Sequence, residues 1–342
     1  MKLRFIAVTF NFLIYSTFFL SILLTFVYVD ISRGLPEYKD LIEKQSPSLT
    51  RYFSDDGFVI HEEYEQYRLF INHKNIPDLL KKAFISAEDK NFYSHNGMDL
   101  IGILRATGQN LYNYMILKDE NRLIGASTIT QQLVKNLILD NKRTVTRKVK
   151  EIVLANKIEN FLSKEEILEM YLNEIYLGRG VYGIAAASEV YFNKSLDDLN
   201  IEEFAFLAAL PKAPSNYDPS SNYDGIKERR DWVLDRMAEN EFITKSVSQI
   251  IKTYPIVYAE KINHKIDINL GKALINKIKA ESDSNLNQNT GSKGQLYYQT
   301  SINYDATQYL QSSVEDFLKL YDQPSSKKNN IGIELMLISP MT

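Results

Sequence analysis

The sequence predicts a mainly α-helical domain that follows an N-terminal membrane-spanning helix and precedes a small region of mixed α and β structure. Residues 5–29 carry no charge, and about twenty apolar residues are enough to cross a membrane as a helix. From Pro77 to residue 240, apolar residues recur at helical spacing between capping residues. Beyond residue 240 the composition shifts to Ile, Lys, Asn and Ser, and short strand-like runs appear.

Composition limits the class of function. The chain has 342 residues, of which 44% are hydrophobic and 24% charged, so it can bury one or two cores. Its net charge of -3 gives no argument for nucleic-acid binding. The absence of Cys excludes a disulfide scaffold, a thiolate nucleophile and Cys-ligated zinc. The four His lack the spacing of a zinc protease motif, which argues against a His-based metal site.

The uncharged run at residues 5–29 is expected to stay on the protein as an anchor. It is longer than the apolar core of a typical signal peptide, and Asp30-Ile31-Ser32-Arg33 offers no small-residue cleavage site. A cleaved signal peptide is the alternative. Basic residues flank both ends of the run, so the positive-inside rule does not decide its orientation.

The elements after the anchor follow from turn and capping residues. Asp55-Asp56-Gly57 predicts a turn between short strands, and Pro77 is expected in the first turn of a helix that ends near Glu88. Thr128 and Gln131 have capping-box spacing at the start of the next helix. Further helices are predicted at residues 144–161, at residues 164–177, from Asn200 to the break at Pro211, and at residues 225–240.

The last third of the chain is less regular. A loop rich in Ser, Asn, Asp and Gly is predicted at residues 281–294, followed by a strand at 296–302 and an amphipathic helix that opens at Asp305. An apolar strand at 331–338 has no partner in the remaining residues. We therefore divide the chain into an anchor (1–30), a membrane-proximal extended segment (31–65), a helical domain (66–240) and a linker region (241–342).

Glu88 is the first candidate catalytic residue. It is predicted near the C-terminal end of a helix, among Phe84, Ala87 and Phe92. Apolar surroundings and the negative end of the helix dipole both disfavour the ionised carboxylate, and such a carboxyl group suits general acid or base catalysis. The alternative is a solvated acidic pair with Asp89 at a helix end.

A polar helix start and a basic cluster form a candidate anion site. Free N–H groups at a helix start bind anions, and the polar side chains here lie at neighbouring helical positions: Ser127, Thr128, Gln131, Gln132, Lys135 and Asn136. Arg147 and Lys148 can bind phosphate oxygens while Glu151 orients them. An ordinary cap and an i,i+4 ion pair are the alternatives. Asn173, on a later packing helix, is a candidate for site support.

Taken together and in this order, these segments resemble glycosyltransferase family 51, the peptidoglycan glycosyltransferase module of class A penicillin-binding proteins and their monofunctional relatives. The resemblance covers about residues 60–240. Its five motifs are Glu88-Asp89-x-x-Phe92-x-x-His95-x-Gly97, Gly125-Ala126-Ser127-Thr128-Ile129-Thr130-Gln131-Gln132-x-x-Lys135-Asn136, Arg147-Lys148-x-x-Glu151, Ile167-Leu168-x-x-Tyr171-Leu172-Asn173, and Arg229-Arg230-x-x-Val233-Leu234-x-x-Met237.

The resemblance implies a lysozyme-like helical fold and lipid II, a lipid-linked disaccharide-peptide pyrophosphate, as substrate. It implies that Glu88 deprotonates the acceptor 4-hydroxyl and that Glu151 is the second essential carboxylate. Lys135, Arg147 and Lys148 match the family's phosphate-binding positions. The other expected substrate-binding residues are Asp89, Ser127, Thr128, Gln131, Gln132, Asn136 and Asn173. Family members often use a divalent cation, Mg or Mn, at the pyrophosphate; the sequence identifies no metal ligand, and no organic cofactor is expected.

The resemblance also implies a location and partners. The expected location is the bacterial inner (plasma) membrane, with one membrane pass and the catalytic domain on the periplasmic or outer face. Residues 100–117 occupy the position of a hydrophobic stretch that dips into the membrane in family members. A helix buried in the protein core would show the same apolar pattern. Expected partners are lipid II, the growing glycan strand and the membrane, together with a transpeptidase chain or cell-wall synthesis complex; nucleic acid is not expected.

The C-terminal region resembles the linker and first strand that introduce a transpeptidase domain in bifunctional members. This predicts a truncated or split bifunctional protein, or a partner chain that supplies the rest. Two other classes of function stay open. A lysozyme-like glycan-cleaving enzyme would also use Glu88 but needs no basic cluster, and a catalytically inactive cell-wall scaffold would tolerate changes at residues that are all present here.

Overall fold

The structure is a computed structural model of the chain, and it describes residues 49–117, 125–138, 144–259, 272–284 and 296–321, with scattered helical positions between 10 and 29. The described part is mainly helical, as predicted. Its helices are α1 (Asp78–Glu88), α2 (Leu100–Tyr112), α3 (Ile129–Ile138), α4 (Val145–Glu159), α5 (Lys164–Glu174), α6 (Ile184–Phe192), α7 (Ile201–Ala209), α8 (Tyr223–Glu239), α9 (Lys245–Lys252), α10 (Lys272–Ser284) and α11 (Tyr304–Tyr321). Its strands are β1 (Thr50–Phe53), β2 (Val59–Glu63), β3 (Tyr67–Arg68), β4 (Val181–Tyr182) and β5 (Leu296–Gln299).

The chain divides into two compact units. One contains Met1–Gln45 and Ile71–Glu260, and the other contains Ser46–Phe70 and Lys261–Thr342. Helices α1 to α9 belong to the first, which we call the helical unit. Strands β1, β2 and β5 with helices α10 and α11 belong to the second, which we call the sheet unit.

Helix α7 forms the centre of the helical unit. Its residues from Phe204 to Ala209 are buried, and a helix that is apolar on all sides is typical of a core position. It packs against α1 and α8. Asn200 and Glu203 form the capping box at its start, which explains why the helix begins where the sequence predicted.

Helix α1 ends at the predicted position and carries Glu88 to the edge of this core. It begins one residue after Pro77, which lies at the cap rather than inside the first turn. Leu80, Ala83 and Phe84 form its buried face, in agreement with the helical period of the sequence. Because these residues fix the rotation of α1, the side chain of its last residue is held in one direction.

The helical unit continues beyond residue 240, where the sequence analysis placed a domain boundary. Arg230 of α8 is 0% exposed, and its guanidinium donates hydrogen bonds to the carbonyl oxygens of Tyr254 at 3.0 Å and Lys252 at 3.4 Å. A buried guanidinium needs such acceptors. The segment through α9 therefore belongs to the same folded unit.

The sheet unit is built from distant parts of the chain. Strand β1 pairs antiparallel with β2 through the predicted turn, in which Gly57 has a φ of 88°. On its other edge β1 pairs parallel with β5, so that Thr50 lies opposite Leu296. Tyr52, Ile60 and Ile275 form its buried cluster. The sequence carries no signal for this parallel pairing, because the two strands lie far apart in the chain.

Two further differences concern the C-terminal third. Helix α10 extends to Ser284, so residues 281–284 of the predicted loop are helical, and the rest of that loop lies outside the described residues. The predicted strand at 331–338 lies outside the described residues. Helix α11 opens at Tyr304, one residue before the predicted start.

About half of the predicted anchor at residues 5–29 also lies outside the described residues. In the part of the chain that the structure describes, no helix is long and apolar enough to cross a membrane.

Candidate active site

Glu88 lies at the end of α1, half-buried, with its carboxylate held from α3. Its Oε2 accepts a hydrogen bond from Gln132 Nε2 at 2.7 Å. Gln132 Oε1 accepts in turn from the hydroxyl of Tyr171 on α5, at 3.3 Å. The expected apolar setting is thus only partly present, because the nearest contact of the carboxylate is a polar amide.

Asp89, the next residue, faces the protein interior. Its carboxylate is buried, lies 3.0 Å from His95 Nε2 and accepts a hydrogen bond from the Ile129 N–H at 3.0 Å. Because Ile129 opens α3, the Asp89 charge also faces the positive end of that helix dipole. The structure therefore gives Asp89 a positioning role that joins the end of α1 to the start of α3.

The loop after Asp89 is fixed to the start of α3 through one carbonyl group. The Gly97 oxygen accepts hydrogen bonds from Thr128 Oγ1 at 2.8 Å and Gln131 Nε2 at 3.2 Å. Thr128 Oγ1 also accepts from the Gln131 N–H at 3.2 Å, as expected of a cap. The second half of the predicted capping box is not formed, because Gln131 Oε1 accepts a hydrogen bond from Lys148 Nζ instead.

The basic cluster is assembled around a buried carboxylate. Lys148 Nζ donates to Ser127 Oγ at 2.9 Å, to Gln131 Oε1 at 2.9 Å and to Glu151 Oε2 at 3.0 Å. Arg147 Nε lies 3.1 Å from Glu151 Oε1. Since the Glu151 side chain is only 4% exposed, it is placed to hold the two cations rather than to reach a sugar.

Lys135 connects Glu88 and the basic cluster electrostatically. Desolvation by the surrounding protein lowers the pKa of Lys135, and the nearby Arg147 and Lys148 cations lower it further, whereas Glu151 and Glu88 oppose the shift. Lys135 therefore interacts electrostatically with both carboxylates. The residue as a whole reaches solvent, as does Asn136 beside it, so both remain accessible to a bound anion.

Asn173 does not join this cluster. It is buried, its Oδ1 accepts from the Ile71 N–H at 2.8 Å, and its Nδ2 donates to the carbonyl oxygens of Ile71 at 2.9 Å and Glu169 at 2.7 Å. These contacts hold the first residues of the helical unit against α5. Asn173 therefore supports the fold of the domain from behind the site.

Two further motif residues, Tyr171 and Arg229, interact with Glu88 directly or through Gln132. Tyr171 is 0% exposed and ends the hydrogen-bond chain to Glu88. Arg229 lies over the ring of Trp232 at 3.8 Å; desolvation lowers the pKa of Arg229, and the charge of Glu88 opposes that shift. The only sequence signal for Arg229 is an Arg and a Trp at i,i+3 spacing, where side chains on a helix meet.

The residues present do not fit a cation held by the protein alone. Within the described ranges, no group of three or more His, Asp or Glu side chains comes together. The three carboxylates of the site already have partners: Gln132 for Glu88, His95 for Asp89, and the two cations for Glu151. A hard divalent cation prefers several oxygen ligands, whereas Glu151 Oε1, which is buried without a hydrogen bond, already lies 3.1 Å from the Arg147 cation.

Comparison with known proteins agrees with the motifs. The transglycosylase family profile matches residues 56–238. Penicillin-binding protein 1A of Rickettsia prowazekii is 39% identical over 308 residues, which cover 90% of this chain and 38% of that protein. Penicillin-binding protein 1A of Pseudomonas aeruginosa is 41% identical over 242 residues, covering 70% of this chain and 29% of that protein.

A solved structure is also similar. The crystal structure of penicillin-binding protein 1A from Haemophilus influenzae matches with a TM-score of 0.42 and 23% identity, over 85% of this chain and 33% of that chain. The chain thus spans less than two fifths of the length of these relatives. The profile match covers more than half of the chain, and it confirms that the chain belongs to the transglycosylase family, the peptidoglycan glycosyltransferases that its motifs resemble.

Proposed function

We propose that this protein is a membrane-anchored peptidoglycan glycosyltransferase that polymerises lipid II into glycan strands with β-1,4 linkages. One observation carries the proposal: an oriented carboxylate and a cluster of three cations interact with one another. Glu88, held by Gln132, interacts electrostatically with Lys135, and Lys135 interacts with Glu151, the carboxylate that holds Arg147 and Lys148. A glycosyl transfer with a pyrophosphate leaving group needs a base on one side and cations on the other.

In the proposed reaction Glu88 accepts the proton of the acceptor sugar's 4-hydroxyl. The oxygen then attacks the anomeric carbon of the donor, forming the glycosidic bond while the bond to the phosphate oxygen breaks. The bonding electrons leave with undecaprenyl pyrophosphate, and the configuration at the anomeric carbon inverts. Gln132 contributes by holding Glu88 Oε2 with a hydrogen bond of 2.7 Å, which fixes the direction of the carboxylate that accepts the proton.

The basic cluster stabilises the charge of the departing pyrophosphate. Lys148 directs its ammonium group at three protein oxygens, so it exchanges one of these contacts when it binds phosphate. Arg147, with 21% of its side chain exposed, and the accessible Lys135 provide the first contacts. Glu151 acts through Arg147 and Lys148, because its buried carboxylate fixes both positions.

Membrane attachment is part of the proposal, and two features support it. The uncharged run at residues 5–29 is long enough to span a membrane. Helix α2 in addition exposes large apolar side chains, among them Leu100 at 61%, Ile101 at 74% and Leu104 at 74%. Contiguous exposed apolar surface of this kind marks a membrane or protein contact. The site formed by Glu88 and the basic cluster would then act at the surface of the bacterial inner membrane, where lipid II and the growing strand are held.

The decisive experiment replaces Glu88 by Gln in the full-length protein and measures polymerisation of lipid II in detergent or vesicles. The amide preserves shape but cannot accept the proton, so we expect a loss of about 10²-fold or more in rate. The matched control is Glu165→Gln, because Glu165 is an exposed carboxylate in the first turn of α5. Wild-type polymer formation that survives Glu88→Gln, at equal helical content, would remove Glu88 from the mechanism.

The same assay separates the alternative functions. A glycan-cleaving enzyme would release fragments from preformed strands and form no polymer from lipid II. A catalytically inactive scaffold would yield neither product, with either wild-type protein or variant.

The role of the basic cluster is tested by Lys148→Ala, with Lys150→Ala on the same helix as control. We expect kcat/KM for lipid II to fall about tenfold or more in the first variant and to stay near wild type in the second, since a charge-assisted phosphate contact is stronger than an ordinary hydrogen bond. Equal effects of the two substitutions would contradict a specific phosphate-binding role for Lys148.

A further inference from the structure

A chain of two hydrogen bonds connects the protein core to Glu88. It starts at the hydroxyl of Tyr171, passes to Gln132 Oε1 at 3.3 Å, and continues from Gln132 Nε2 to Glu88 Oε2 at 2.7 Å. The three residues come from three helices, α5, α3 and α1. Gln132 is the middle residue of this hydrogen-bond relay: its amide nitrogen donates to Glu88, and its amide oxygen accepts from Tyr171.

The orientation of the Gln132 amide decides how it interacts with Glu88. A side-chain amide has a donor end and an acceptor end. With its nitrogen toward Glu88, the amide stabilises the carboxylate; with its oxygen there, two acceptors would face each other. A donor placed at the other end of the amide fixes the favourable orientation, and Tyr171 is that donor.

Tyr171 is well suited to be a permanent donor. It is 0% exposed, and its ring meets Phe84 of α1 edge to face, with centroids 6.3 Å apart. Burial raises the pKa of Tyr171 well above its usual value, and the charges of Glu88 and Asp89 add to this. The phenol therefore keeps its proton over the whole working pH range, and packing against Phe84 fixes its position.

We infer that Tyr171 is a positioning residue for the reaction, which it serves by fixing the Gln132 amide that orients Glu88. This inference rests on the proposed function, because only there is Glu88 the general base. Tyr171 itself is buried and touches no substrate. Its effect is expected in the catalytic step, because a correctly oriented base matters once the acceptor is bound.

Other charged groups also act on Glu88 and must be held constant. Lys135 of α3 and Arg229 of α8 interact electrostatically with it, as does the hydroxyl of Tyr171. Asp89 follows it directly in the chain and is bonded to His95 and the start of α3. A variant that removes only the Tyr171 hydroxyl leaves all these charges unchanged.

The test compares Tyr171→Phe with Tyr191→Phe in the full-length protein. Tyr191 is a matched control, because it too is 0% exposed and its hydroxyl donates to a backbone carbonyl, that of Leu177, at 2.9 Å. We expect Tyr171→Phe to lower kcat about fivefold to tenfold, the equivalent of one hydrogen bond. KM for lipid II should stay within about twofold, since the interaction matters after binding.

The pH–rate profile separates this role from general destabilisation. Loss of the oriented amide disfavours the ionised carboxylate, so the acid limb of kcat should move to higher pH in Tyr171→Phe and stay in place in Tyr191→Phe. An unchanged acid limb with unchanged kcat, or equal effects in both variants, would overturn the inference.

A double variant tests whether Tyr171 acts through Gln132. Gln132→Leu removes the link, and adding Tyr171→Phe to it should then lower kcat no further. Independent, multiplying effects would overturn the inference. If Tyr171→Phe does not reach wild-type helical content, 3-fluorotyrosine at position 171 replaces it: the more acidic hydroxyl is a stronger donor, and the acid limb should move to lower pH, while an unmoved limb counts against the inference.

Failure of this inference and failure of the proposed function give different results. If wild-type protein makes no polymer from lipid II, the proposed function fails. If wild-type protein polymerises, Glu88→Gln does not, and Tyr171→Phe equals wild type, only the inference about Tyr171 fails.

Discussion

Replacing Asp89 by Ala tests whether this carboxylate supports the fold or binds substrate. The motif resemblance placed Asp89 among the substrate-binding residues, whereas the structure directs it inward. Its side chain is 3% exposed. It lies 3.0 Å from His95 Nε2 and accepts the Ile129 N–H at 3.0 Å. The two roles predict different results for stability and activity.

The expected loss of stability follows from these contacts. Asp89→Ala leaves a buried N–H at the start of α3 and a buried imidazole without their acceptor. A hydrogen bond to a charged group contributes about 1.5–3 kcal/mol, and a carboxylate at a helix N-terminus adds up to about 2 kcal/mol in a partly buried site. We expect the free energy of unfolding of the helical unit to fall by about 3 to 5 kcal/mol, as when one partner of a buried pair is removed.

Urea denaturation followed by far-ultraviolet circular dichroism measures this change, with the midpoint shifting at constant slope. The control is Asp78→Ala, because Asp78 lies in the first turn of the same helix with 80% of its side chain exposed; its ion pair with Lys81 should be worth at most about 1 kcal/mol. If Asp89→Ala abolishes polymerisation while stability changes no more than in Asp78→Ala, direct substrate contact is the better explanation.

Three further predictions concern stability. Gly97→Ala should lower the free energy of unfolding by about 1–3 kcal/mol, because Gly97 has a φ of +84° and an added Cβ would lie 2.8 Å from the backbone of α4; Gly57→Ala, with open space around its Cβ, is the milder control in thermal melting. The hydrogen bond from Arg179 lowers the pKa of Asp218 to about 2, so the pair should stabilise the folded state above about pH 4, and this contribution should disappear as pH falls toward about 2. Asp218→Asn should flatten this part of a melting-temperature profile, and an unchanged profile would count against the pair. Arg230→Ala should make residues 245–259 accessible to limited proteolysis, because their backbone loses its buried donor; an unchanged cleavage pattern would contradict that anchoring role.

The helices could be predicted from the sequence because their signals are local. Helix α7 begins at a capping box formed by Asn200 and Glu203, and α1 shows its buried face in the spacing of Leu80, Ala83 and Phe84. Such signals lie within one or two turns of the chain. The end of α1 at Glu88 was therefore predictable, and with it the candidate base.

The contacts that give each motif residue its role could not be predicted in this way. Gln132 meets Glu88 across 44 positions of the chain, and Asn173 bonds the backbone of Ile71 across 102 positions. A motif match treats its residues alike, so it cannot distinguish Glu88, which is half-buried, from Asp89, which is buried and faces inward. That distinction depends on packing between helices, which carries no local signal.

The parallel pairing of β1 with β5 has a consequence for the order of folding. Thr50 and Leu296 face each other in the sheet, while the segment Ile71–Glu260 of the helical unit, with all of its helices α1 to α9, lies between them in the chain. During synthesis the helices of the helical unit are made before β5, so the edge of β1 that pairs with β5 stays unpaired until then. Long-range pairing of this kind is slow and leaves a strand edge exposed to aggregation. The antiparallel edge of β1 can thus pair with β2 early, whereas its parallel edge is paired only after the helical segment between β2 and β5 has been made.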